Sequence, residues 1–111
     1  MAVCVVACAT TQTTFRPLGN AYPARAANAP VEVFESGAPT RPFERIARLD
    51  AHFEKTALIP TSLETAIAAL QVQARAAGAD AIIDIQERRS RINETLVLHV
   101  TGTGIHYIPA Q

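Results

Sequence analysis

The chain has 111 residues, ten basic and ten acidic side chains, and a formal net charge of zero. That length suits one domain, and neutrality argues against nucleic acid as a partner, because binding a phosphate backbone needs a basic footprint. Hydrophobic residues make up 49% of the chain, which excludes wholesale disorder, and tryptophan is absent, which leaves little for an aromatic stacking surface.

Both cysteines, Cys4 and Cys8, lie in the apolar opening run MAVCVVAC. The rest of the chain therefore has no disulfide framework, thiolate metal site or cysteine nucleophile. Val5-Val6-Ala7-Cys8 has the form of a bacterial lipobox, with an aliphatic residue three before the cysteine and a small residue directly before it. Small side chains are needed there because the signal peptidase closes on the backbone beside the scissile bond, and the Cys8 thiol would take the diacylglyceryl group. A full signal peptide also has a charged start and about 7–15 apolar residues. No lysine or arginine precedes Cys8, so residues 1–8 read as a truncated lipoprotein signal. The competing reading is a short buried strand or a frayed terminus. Ala9, not aspartate, follows Cys8, which in many Gram-negative bacteria favours the outer membrane. The expected location is the bacterial envelope, on the outer membrane facing the periplasm. The membrane is the expected partner, through the lipid, and envelope proteins are candidate further partners.

Residues 9–30 are rich in Thr, Ala, Pro and Asn, with Phe15, Leu18 and Tyr22 as isolated apolar residues. Such a stretch buries too little surface to offset its ordering entropy and reads as a flexible tether. A single α+β domain is expected over 31–111. VEVFE (31–35) is its first strand, SGAPTRP (36–42) a turn, and FERIARLDA (43–51) its second strand. In the second strand Arg45 and Ile46 fall out of phase, which suggests a bulge or burial on both faces. Thr61, three residues before Glu64, forms a capping-box pattern after Pro60. Leu63, Ala66, Ile67, Leu70, Ala74 and Ala77 then recur at helical spacing, and Gly78 ends the helix. ADAIIDIQE (79–87) is a third strand, RRSRINE (88–94) a polar hairpin loop, and TLVLHVTGTGIHYI (95–108) a long final strand with a bulge or bend at Gly102 and Gly104. The expected order is β-β-α-β-β, one helix packed on a small, mainly antiparallel sheet.

The segments AIAALQVQARAAGADAIIDIQ and LVLHVTGTGIHY resemble the YbjQ-like proteins, small bacterial domains often labelled heavy-metal-binding. The helix-to-strand junction AAGADAII is the most specific part. With the lipobox and the following stretch included, the chain also resembles the outer-membrane lipoprotein type that senses stress in the Rcs pathway. That domain is held by disulfides, for which this one has no cysteines. The first resemblance implies, as an alternative to the envelope lipoprotein, a cytosolic oligomer binding a small ligand or metal; it leaves oligomerisation open. Neither supplies catalytic residues.

The residues themselves offer no catalytic constellation and call for no cofactor. His52, His99 and His106 lack the close spacing of a metal motif, and a bend at Gly102 and Gly104 would send His99 and His106 to different faces, so no metal site is expected. Asp80 follows the capping glycine and suits a bond to turn amides. TGTG leads into no helix, so a dinucleotide reading fails. Arg88, Arg89 and Arg91 cluster on the expected loop, either as a solvated tip or as a contact for an acidic partner or lipid headgroup. The expected function is a non-catalytic binding or interaction domain.

Overall fold

The computed structural model describes residues 12–55, 63–93 and 95–109. The fold is α+β: one helix, α1 (Leu63–Ala77), lies on a five-stranded sheet. The strands are β1 (Gln12–Pro17), β2 (Glu32–Val33), β3 (Phe43–Lys55), β4 (Ala81–Ile92) and β5 (Thr95–Tyr107), in sheet order β1-β3-β5-β4-β2. All neighbours are antiparallel except the short β2–β4 pair. The element order is thus β-β-β-α-β-β, one strand more than the sequence reading.

The apolar stripe of α1 is buried where periodicity places it, with Ala66, Leu70 and Ala74 at zero exposure. They meet Ala47, Leu49 and Ala51 of β3, Val100 of β5 and Ile82 of β4 in one core. Full burial of a leucine such as Leu70 contributes roughly 1.5–3 kcal/mol. The helix lies close because small residues face it. A Cβ on Gly102 would stand 2.9 Å from Ile82 and 3.4 Å from Leu70. Of the bulge or bend expected at Gly102 and Gly104, no bulge is present in β5. The two glycines pair regularly with Leu49 and Ala47, and the register shifts fall in the neighbours, between Arg45 and Ala47 in β3 and between Ile83 and Gln86 in β4. The β3 shift is the bulge that Arg45 and Ile46 announced. It turns Ile46 into the core, at 2% exposure.

One buried polar group is central. Gln73, 2% exposed, donates from Nε2 to the Asp50 carbonyl at 2.6 Å and accepts from the Asp50 N–H at 3.0 Å. The carboxamide thus binds helix to sheet through both main-chain groups of one residue.

Two expectations are corrected here. The 9–30 tether is not structureless over its described part, and the domain begins before residue 31. Gln12–Pro17 is edge strand β1 on β3, and residues 18–31 form a strap across the C-terminal end of α1. Arg25 N–H donates to the Arg75 carbonyl at 2.7 Å, Arg75 Nε donates to the Ala29 carbonyl at 2.6 Å, and Gln71 Nε2 donates to the Val31 carbonyl at 3.1 Å. Tyr22 stacks on His106 with ring centroids 3.9 Å apart and donates to Glu44 at 2.6 Å. That hydrogen bond, with some burial, raises the Tyr22 pKa. The strap thus finds partners in main-chain and polar groups, which hydrophobic patterning does not register. Second, RRSRINE is not a loop. Residues 88–92 continue β4, and its last residue, Ile92, pairs with Thr95 of β5. Asn93 has φ 57°, a left-handed conformation that asparagine tolerates. Residues 9–11, the lipobox Val5–Cys8 and Thr61 of the capping box lie outside the described residues.

The second face of the sheet carries an apolar cluster at one end. There Ala81, Ile83 and Ile105 are buried under Phe34, Phe43 and Tyr107. Tyr107 O–H donates to Glu32 at 2.5 Å. Burial first, then this bond, pushes its pKa up to about 12.

Candidate functional site

Among the described residues no element packs over the middle of that second face, and strand alternation decides what it displays. β3 sends Ala47, Leu49 and Ala51 to the helix, so Arg48, Asp50, His52 and Glu54 face outward. Register then fixes their neighbours. Arg48 is opposite Arg16 of β1, Asp50 is opposite Thr101 of β5, and His52 is opposite His99, which is itself opposite Arg88 of β4.

These side chains form two acid–base pairs. His99 Nε2 is 2.5 Å from Asp50 Oδ1, and His52 Nε2 is 2.9 Å from Glu54 Oε2. The two imidazoles meet edge to face at 5.5 Å. Other carboxylates near the face are also engaged: Glu87 by Arg89 at 2.6 Å and Asp84 by Arg45 at 3.8 Å. By contrast Arg16, Arg48 and Arg88 have no ion pair among the described residues. A hollow of about 360 Å³ opens among Arg48, Gln86, Glu87, Arg88, His99 and Thr101. A smaller one of about 260 Å³ lies beside it, against Phe15, Arg16, Arg48 and Asp50.

The arginine cluster read from the sequence is divided by the strand. Arg88, opposite His99, faces the hollow. Arg89 and Arg91, opposite Leu98 and Leu96, point to the helix side. His99 and His106 lie on different faces because they are seven positions apart on one strand, so alternation alone separates them. His106 is on the helix side, stacked on Tyr22, with Nδ1 3.3 Å from Asp80 Oδ2. Asp80 accepts from the Tyr107 main-chain N–H at 2.9 Å and lies 3.8 Å from Arg25. The contact of His52 with His99 escaped the sequence reading, because it depends on a β3–β5 register between residues 47 positions apart. Arg16 and Arg48 were missed for the same reason.

The arrangement offers guanidinium groups that can hold an anion. Its carboxylates are bonded to bases, and no serine or cysteine stands beside the His99–Asp50 pair as a nucleophile among the residues lining the hollow. Among the described residues no group of three or more His, Cys, Asp or Glu side chains is placed to hold a metal ion. No protein-family model, curated protein or solved structure matches this chain.

Proposed function

We propose that this chain is the binding domain of a bacterial envelope lipoprotein, attached through lipid on Cys8 and acting by interaction, not catalysis. The open face carries the binding part of this reading. It is a polar surface whose acids are paired and whose Arg16, Arg48 and Arg88 have no ion-pair partner among the described residues. Unpaired guanidinium groups around a hollow suit recognition of an acidic ligand. The lipobox form of Val5-Val6-Ala7-Cys8 supports the anchor. The test is expression of the natural gene, with any upstream coding sequence, in a bacterium fed labelled palmitate, beside Cys8→Ser. The parent should carry label and sediment with membranes, and the variant should do neither.

An unlabelled, soluble parent would instead favour the second reading, a cytosolic YbjQ-like oligomer that binds a small ligand or metal. One observation favours that alternative. β2 pairs with β4 only at Ala81 and Ile82, which leaves the outer edge of β4 beyond them free of a strand neighbour among the described residues. Such an edge can pair with a second copy.

A further inference from the structure

We propose that the hollow bounded by Arg48, Arg88 and His99 binds a phosphate group, carried either by a small soluble ester or by a lipid headgroup. The inference rests on the open face being the binding surface and names the chemistry of its ligand.

The first observation is the local charge. The whole chain is neutral, yet the hollow holds two arginines with no carboxylate partner among the described residues. Of the two acids nearby, Glu87 is held by Arg89 and the Asp50 carboxylate is bonded to His99, so neither is paired with Arg48 or Arg88. The second is the placement of Arg16 directly opposite Arg48 on the neighbouring strand. Like charges opposed across a strand pair are destabilising. An anion seated beside Arg48 removes that penalty. The third is shape and donor chemistry. About 360 Å³ lies near the lower end of the range for small-ligand sites and exceeds what a bare phosphate fills. Thr101 and Gln86 add a hydroxyl and a carboxamide to the guanidinium forks. Planar guanidinium groups meet phosphate oxygens two at a time, which a point charge does not.

The experiment titrates the unlipidated full chain with glycerol 3-phosphate and, separately, with vesicles of phosphatidylcholine with or without phosphatidic acid. Arg48→Gln and Arg88→Gln are compared with Arg91→Gln, which lies on the other face. All three side chains are exposed, and a melt confirms folding of each variant. Loss of one charge-assisted hydrogen bond corresponds to about tenfold or more in affinity. Binding should therefore weaken by about that factor in the first two variants and stay unchanged in the third. Binding of glycerol 3-phosphate with this pattern assigns a soluble ester. The same pattern with phosphatidic acid vesicles alone assigns a lipid headgroup. Equal weakening in all three variants means diffuse electrostatics and overturns the site, as does failure of both probes to bind at millimolar concentration. Palmitate labelling of Cys8 is read independently, so the ligand assignment can fail while the lipoprotein reading stands.

Discussion

Replacing Gly78 by alanine separates the strapped domain described above from a domain with a loose leader. Gly78 ends α1 at φ 85°, a conformation that costs an L-residue about 1–2 kcal/mol. A Cβ there would also stand 2.7 Å from the Pro23 carbonyl oxygen and 2.7 Å from the Tyr22 Cβ, both on the strap. Main chain cannot swing aside as a side-chain tip can, so the overlap adds about 1–3 kcal/mol. The control is Gly37→Ala. Gly37 has nearly the same backbone, φ 76°, but nothing within 4 Å of the new methyl group. Only the conformational cost applies to it. With about 4–8 °C per kcal/mol for a domain of this size, Gly37→Ala should lower Tm by roughly 4–15 °C, and Gly78→Ala by at least several degrees more. Thermal and urea melts followed by circular dichroism measure both. Equal losses in the two variants would mean that residues 22 and 23 do not lie on the helix end, and the strap would have to be abandoned.

Two further outcomes follow from the same packing. Gln73→Leu leaves the Asp50 N–H and carbonyl without their partner at a site only 2% exposed. It should cost about 2–4 kcal/mol and speed exchange of the Asp50 amide hydrogen; a variant with parental stability and exchange would show the carboxamide to be dispensable. The two tyrosines should both ionise late in a 295 nm titration, Tyr107 near 12. Because the folded pKa lies above the ordinary tyrosine value of 10.0, this contribution to stability is complete below about pH 10 and is lost as pH rises towards 12. After screening by solvent it amounts to on the order of 1 kcal/mol. Glu32→Gln should lower the Tyr107 midpoint without restoring 10.0, since burial is the larger cause; a midpoint already near 10 in the parent would contradict the Tyr107–Glu32 bond.

What could be read from the amino acids was set by burial. The stripe of α1 repeats at helical spacing because one side of the helix is dry, so Ala66, Leu70 and Ala74 announce themselves. Edge strand β1 gives no such signal. Phe15, Arg16 and Pro17 are all exposed, so nothing forces apolar and polar residues to alternate. Residues 88–91 read as a loop for a related reason. That part of the hairpin is exposed, and its strand character comes from pairing with residues 96–99. Gln73 reads as an interruption of the helix stripe until its partner is known to be the backbone of Asp50. The candidate site was the least accessible of all. Arg16, Arg48, His99 and Arg88 come from four strands, and only their register brings them to one surface.

The early start of β1 changes what lipid on Cys8 would mean. Gln12 is four positions past Cys8, a span of at most about 14 Å when fully extended. An acylated chain would thus be kept on a short leash, with Arg16 among the first residues of the folded body. The effective concentration of headgroup phosphates around the open face would then be millimolar or higher without any tight contact. A site with only modest intrinsic affinity would stay occupied on such a leash. It would also work close to the bilayer that holds it, so a partner elsewhere in the envelope would have to come to that surface.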